Sequence, residues 1–345
     1  MHALPRLLIT LGDVAGIGPE VLLKSWTKSE LFAYSQPVVV GDVEWLERLN
    51  EKYSIGIRIN PITDLTSWPA SNRNIMPCLQ GTQVNLCEVT PGKAQAGAGQ
   101  AAFDFLQLAI QQTQQKIADA IVTLPLHKEG LYLAGLDYPG HTEILADACH
   151  VKEYAMMLYA PASKHDLENT HLGLGVAHVT LHQSLRSIFD YITPANVLEK
   201  IVLTANIMKK LIGSQPRIGV CALNPHASDG GIFGNEEEKN IAPAVLKAQR
   251  QGITVSGPWP SDTLFKRAQR GEFDGIVAMY HDQGHIALKL ISGFHLVNIT
   301  LGLPIIRTSV AHGTAYDIVN DWIADPYSLQ AAIEVACLLH QNRDV

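Results

Sequence analysis

Short, almost unbroken apolar runs alternate along this chain with longer amphipathic stretches. RLLITLG (6–12), QPVVVGD (36–42), DAIVTLP (119–125), YAMMLYA (154–160), LGLGVAHVTL (172–181), RIGVCALN (217–224), FDGIVAMY (273–280) and HLVNITLG (295–302) predict strands. Between them, GQAAFDFLQLAIQQTQQKIA (99–118), TPANVLEKIVLTANIMKKLIG (193–213) and NEEEKNIAPAVLKAQRQG (235–252) carry helical periodicity. The last opens on an asparagine cap with acids in its first turn, which suits the helix dipole. The alternation predicts an α/β protein with a largely parallel sheet. In such folds ligands gather where strands end, and here the polar clusters follow the apolar runs: LGDVAGIGPE (11–20), TLPLHK (123–128), NPHASDGG (224–231) and YHDQGH (280–285).

Length and charge narrow the picture. At 345 residues the chain allows one large or two modest domains, and no low-complexity linker marks a boundary. A net charge of −7 leaves no basic stripe for nucleic acid. Five scattered cysteines without a C-x-x-C pair suit reduced thiols rather than disulfides or a thiolate zinc site. The opening MHALPRLLITLGD lacks the charge and apolar core of a signal peptide, and no run is long enough to span a bilayer, so a cytoplasmic protein is expected.

GAGQAA (97–102) matches a dinucleotide fingerprint, but TPGKAQA before it is not a strand, so an ordinary entry into a helix is expected. Three histidines stand out: His182, His226 and His281 each follow an apolar run. They are either three separate hydrogen-bonded side chains or one open imidazole site for a borderline divalent cation. Asp282 and Asp229 could orient an imidazole by accepting its second N–H, or cap their own loops. His178 is expected to be structural, and His285 to face solvent or pack.

Together the blocks GHTE (140–143), LNPHASDGGIFGNEE (223–237), GPWPSDTLF (257–265), AMYHDQGHIALK (278–289) and VNITLGLPIIRTSVAHGTA (297–315) resemble the 4-hydroxythreonine-4-phosphate dehydrogenase family of vitamin B6 biosynthesis. The family includes relatives acting on 4-phospho-D-threonate and 4-phospho-D-erythronate. The resemblance implies an isocitrate/isopropylmalate dehydrogenase-like fold, two α/β subdomains around a central cleft. Residues 1–125 with 305–345 would form the nucleotide side, and 126–304 the metal, substrate and dimerisation side. It implies metal binding by His182, His226 and His281, the third directed to the partner subunit of a homodimer with its active site at the subunit interface. It implies substrate contacts from His141, Thr142, Lys289, Asn298 and Arg307, catalytic roles for Lys289 and Asp282, and cofactor contacts from Gly12, His312 and Gly313.

The implied activity is oxidation of a phosphorylated C4 hydroxy acid by NAD or NADP with loss of CO₂, first of all 4-phosphohydroxy-L-threonine to 3-amino-2-oxopropyl phosphate. The implied metal is Zn²⁺, or Co²⁺, Ni²⁺, Mn²⁺ or Mg²⁺. Threonate or erythronate 4-phosphate oxidation is the neighbouring reading. A protein that keeps the metal and phosphate sites without hydride transfer is the non-enzymatic one. Departures concentrate in the nucleotide loop: where family members read D-H-G-T-A-x-D-I-A-G-K-G, Ala311 replaces the aspartate and VNDW (319–322) replaces A-G-K-G. Val14 and Leu124 are milder changes, in the first glycine turn and beside Lys128.

Overall fold

The computed structural model describes residues 3–28, 30–162, 173–292 and 296–345. Leu172 and His295, at the starts of two predicted strands, lie outside them. The strands are β1 (Arg6–Thr10), β2 (Gln36–Gly41), β3 (Arg58–Ile62), β4 (Ile75–Gln80), β5 (Ala120–Thr123), β6 (Ala155–Ala160), β7 (Leu174–His178), β8 (Ile218–Cys221), β9 (Val255–Trp259), β10 (Gly275–Ala278), β11 (Val297–Leu301) and β12 (Ile306–Val310). The helices are α1 (Gly18–Trp26), α2 (Leu31–Tyr34), α3 (Val43–Lys52), α4 (Ala96–Gln114), α5 (Lys128–Leu133), α6 (His141–Ala148), α7 (Pro194–Ile212), α8 (Ala242–Arg250), α9 (Ser261–Gln269), α10 (His281–Ser292) and α11 (Tyr327–Gln341).

The chain divides into two compact units, 1–152 with 303–341, and 153–302 with 342–345. Residues 126–152, expected with the second unit, therefore fall in the first and take His141 and Thr142 with them.

In the first unit the strand order is β3-β4-β2-β1-β5-β12, parallel throughout. Leu7, Leu8, Ile9, Val38, Val39, Val40, Ile121 and Val122 have no exposed surface, so the unbroken apolar runs reflect strands covered on both faces. The order reverses at β1, with β2 on one side and β5 on the other. That reversal is the switch point where an open parallel sheet leaves a crevice beyond its strand ends.

The second unit orders its strands β11-β6-β7-β10-β8-β9. Pairing is parallel from β7 to β9, while β6 runs antiparallel to both β7 and β11. Four strands escaped the sequence pattern: β3, β4, β9 and β12. Pro61, Pro77 and Pro258 interrupt the first three, and Arg307, Thr308 and Ser309 make the fourth too polar to read as a core strand. The helix predicted from Asn235 begins instead as a π turn, Glu237–Ile241, that runs into α8.

GAGQAA lies in the first turns of α4, and its second glycine meets α5. A Cβ on Gly99 would sit 2.0 Å from the Gly130 carbonyl oxygen, whereas one on Gly97 would meet only Val84 and Val89 at 3.6 and 3.7 Å. The motif serves helix packing. Gly99→Ala is expected to cost about 1–3 kcal/mol through overpacking against backbone. Gly97→Ala should be neutral or stabilising by up to about 1 kcal/mol from helix propensity. Thermal unfolding of the two variants checks the contrast.

Candidate active site

The first unit builds its polar cluster at the β1/β5 switch point. Gly12 takes φ +68°, and a Cβ there would lie 2.3 Å from the Pro125 oxygen, so this turn requires glycine. Asp13 donates its amide to that oxygen at 2.8 Å, tying the loop after β1 to the loop after β5. The loop after β12 joins them: Ile17 N–H donates to the Thr314 carbonyl at 3.0 Å, and Tyr316 hydroxyl donates to Asp13 Oδ2 at 2.6 Å. Tyr316 also stacks on His127 with ring centroids 4.7 Å apart. Burial raises the Asp13 carboxyl above its ordinary range, against the hydrogen bonds from Tyr316 and Ala15.

His312 and Gly313 sit in this third loop. The His312 Nδ1 lies 3.0 Å from the Gly313 carbonyl, its Nε2 is buried without a hydrogen-bond partner, and burial lowers its pKa. Gly313 is exposed, and a Cβ there would meet nothing within 4 Å.

The departing segment 319–322 has its own anchors. Trp322 stands where the family pattern has its last glycine, keeps a left-handed φ of +55°, and stacks on Tyr53 with centroids 3.7 Å apart. Lys24 donates to the Trp322 and Ala324 carbonyls at 2.7 and 3.0 Å while paired with buried Glu20 at 2.7 Å. The segment is thus held by an aromatic stack and by a largely buried ion pair.

Also in the first unit, Arg307 on β12 is 1% exposed and donates to the Thr123 hydroxyl at 2.6 Å. Burial pulls its pKa down to about 9, opposed by the Glu143 carboxylate; the guanidinium stays charged at neutral pH. His141 and Thr142 open α6, whose first N–H groups have no partners within the helix. Burial and the charge of Arg307 hold His141 well below the ordinary histidine pKa, so its ring is neutral. A buried cation, a neutral imidazole, a hydroxyl and a helix N-terminus are the kinds of group that can receive an anion.

The second unit places its histidines around the start of α10. His281 opens the helix, and His285 and Lys289 follow at i+4 and i+8, along one stripe. His281 Nδ1 lies 2.6 Å from Asp282 Oδ1. The His182 ring centroid is 6.2 Å from that of His281, and His285 stacks on His281 at 3.7 Å. His178, 1% exposed, lies behind them with its Nε2 3.2 Å from His285 Nδ1. Burial and the neighbouring imidazoles bring His178 down to about 3 and His285 to about 4. His285 is therefore a buried packing residue, and His178 its support. Asn298, on β11, has a buried Oδ1 without a hydrogen-bond partner.

His226 stands apart. Among the described residues no three His, Cys, Asp or Glu side chains of one chain converge as a metal site, so the trio is not assembled within one copy. The His226 ring is 6.3 Å from Phe233, in an unusual turn. His226, Ala227, Ser228 and Asp229 take φ of +54°, +54°, +68° and +45° in succession. Left-handed backbone costs roughly 1–2 kcal/mol for each L residue with a Cβ, so the turn must be held from outside.

A family model described as pyridoxal phosphate biosynthetic protein PdxA matches residues 33–336. The chain belongs to the PdxA family. PdxA relatives agree over their full lengths. A D-threonate 4-phosphate dehydrogenase from Cupriavidus necator is 42% identical over 343 residues, 99% of this chain and 98% of the relative. A 4-hydroxythreonine-4-phosphate dehydrogenase from Geobacter metallireducens is 38% identical over 332 residues, 96% of this chain and 94% of the relative. A crystal structure of a 4-hydroxythreonine-4-phosphate dehydrogenase from Burkholderia phymatum superposes with a TM-score of 0.80 at 40% identity, covering 98% and 99% of the two chains.

As a PdxA-family dehydrogenase, this chain is an NAD(P)-dependent oxidoreductase acting on a phosphorylated hydroxy acid. Sequence reasoning passed over two contributors near the candidate site residues, Tyr316 and Glu237, and neither left a signal in residue spacing. The structural role expected of His178 agrees with its burial behind His285.

Proposed function

We propose that this protein oxidises and decarboxylates a phosphorylated four-carbon hydroxy acid with the help of a divalent cation held by His182, His281 and His226. The contact that carries the reading is Asp282 Oδ1 on His281 Nδ1 at 2.6 Å. A carboxylate on one ring nitrogen sets the tautomer and leaves Nε2 as a lone-pair donor, the usual arrangement of a metal-binding histidine. The donor set is all imidazole, which suits Zn²⁺, Co²⁺ or Ni²⁺ better than the oxygen-seeking Mn²⁺ or Mg²⁺. The resemblance directs His281 to the partner subunit, but His281 lies beside His182 in the same chain, so in this reading it is His226 that comes from a second copy. Leu185, Phe189, Ile286 and Leu290 support such a homodimer: they are 63, 53, 57 and 82% exposed, and lie in the second unit close in sequence to the histidines.

The residue roles follow from charge and hydrogen bonding. Arg307, His141, Thr142 and the α6 N-terminus bind the phosphate. Lys289 offers its ammonium to the substrate carboxylate, and Asn298 Oδ1 accepts from a substrate hydroxyl or ammonium. Asp282 holds the proton on His281 Nδ1. Gly12, His312 and Gly313 present loop backbone to the dinucleotide. When bound, the cation stabilises negative charge on the reacting oxygen and the nicotinamide accepts the hydride.

4-Phosphohydroxy-L-threonine is the first substrate reading; D-threonate 4-phosphate is the second, favoured by the 42% identity to the Cupriavidus relative. The two differ at one polar group, which small pocket changes discriminate. Initial rates with both acids, each with NAD⁺ and NADP⁺ and added metal, test the proposal. Reduced cofactor with one acid is the expected result, and none with either acid overturns it. Five free thiols, three of them buried, support a reducing, cytoplasmic setting. Among the described residues no helix is long and apolar enough to cross a membrane.

A further inference from the structure

The left-handed turn that carries His226 is gripped by one carboxylate. Glu237, 4% exposed, reaches back from the π turn that precedes α8. Its Oε1 accepts the Leu223 and Asn224 backbone N–H groups at 2.8 and 2.7 Å. Its Oε2 accepts the Asn224 side-chain amide at 3.0 Å and the Ser228 hydroxyl. These four bonds bracket His226, three from Leu223 and Asn224 before it and one from Ser228 after it. Glu236 reinforces the near side, its Oε2 accepting from Asn224 Nδ2 at 2.7 Å and Asn235 N–H at 3.0 Å. No hydrogen bond joins Glu237 to the imidazole itself among the described contacts.

Four consecutive left-handed residues with side chains do not persist without such a clamp. Glu237 is the first residue of the π turn that precedes α8, and its side chain reaches the backbone just after β8 rather than solvent.

We infer that Glu237 is the positioning residue for His226, converting a strained backbone into a fixed direction for the imidazole and thereby setting metal affinity. The inference rests on His226 being a ligand, as proposed above. Glu237 never touches the metal or the substrate. Its carboxylate suits the task because all four partners are donors and an ionised carboxylate only accepts.

The test is a titration of full-length, metal-stripped protein with Zn²⁺ alone, against a chromophoric chelator, with circular dichroism to confirm folding. Glu237→Gln keeps the shape but withdraws the charge and turns an NH₂ towards the Asn224 side-chain amide, which can only donate, while the Ser228 hydroxyl has to rotate to accept. It should weaken Zn²⁺ binding by about 10–100-fold, the usual scale for supports of metal ligands. Ala227→Gly added to Glu237→Gln should recover part of that loss, because glycine takes the left-handed conformation without a Cβ penalty. A role confined to stability would lower the melting temperature, leave Zn²⁺ affinity of the folded protein unchanged, and show no such recovery.

His226→Ala separates the two levels of the reading. If it loses Zn²⁺ affinity while Glu237→Gln binds like the parent, the clamp is refuted and the ligand assignment stands. If His226→Ala binds Zn²⁺ like the parent, the ligand assignment falls and the clamp's metal role falls with it.

Discussion

His281→Ala should reduce metal-supported turnover about a thousandfold, equivalent to roughly 4 kcal/mol of lost transition-state stabilisation. The substitution removes the imidazole that sits 6.2 Å from His182 and carries the Asp282 contact. The fold should survive, because His281 is only half-buried and opens α10 rather than crossing a core. Steady-state rates across a range of added metal make the measurement, since a weakened site responds to excess cation and a missing general acid does not. Asp282→Asn is the graded companion: it keeps the shape, withdraws the charge, and should cost about 10–100-fold in metal affinity. Mixing His281→Ala with His226→Ala protein should restore part of the activity, since shared sites would include one with all three imidazoles. A metal response identical to the parent in His281→Ala would end the assignment.

The second large effect is at Arg307. Arg307→Met should raise KM for the phosphorylated substrate at least about a hundredfold, the expected loss for a buried charged hydrogen-bonding partner of about 3 kcal/mol. Stability should move the other way. The guanidinium is 1% exposed, and its depressed pKa records the desolvation it suffers there. A methionine of similar reach relieves that cost, so the melting temperature should hold or rise, offset in part by the weakened environment of Glu143. Arg307→Lys keeps the charge but not the fork, and should fall between the two in KM. Substrate kinetics beside thermal unfolding read both halves. A variant with unchanged KM would place the phosphate elsewhere.

Much of this was legible in the chain. Apolar runs with no alternation announced buried parallel strands, as Leu7–Ile9 and Val38–Val40 turn out to be. His281 and Asp282 are neighbours in sequence, so their contact needed only a strand to end there. The misread pieces share a cause. β12 was hidden because its charged member, Arg307, is buried, and charge in a strand normally signals solvent. The π turn was hidden because Glu237 looks like any first-turn helix acid until Leu223 and Asn224 are seen to bind it. Trp322 could be seen replacing a glycine, but not that Tyr53, 269 positions earlier, stacks on it.

By itself the sequence determined the α/β class, the approximate places of eight strands, and the family with its complement of histidines and cations. These are local: each follows from the period of apolar residues or from a contiguous block. The tertiary structure alone decided the β1/β5 switch point, the antiparallel course of β6, the stacking of His285 on His281, and the four-bond grip of Glu237 on the His226 turn. Those depend on which distant backbone donors are left unsatisfied once the sheet has formed, and hydrogen-bond demand of that kind has no signature in the order of residues.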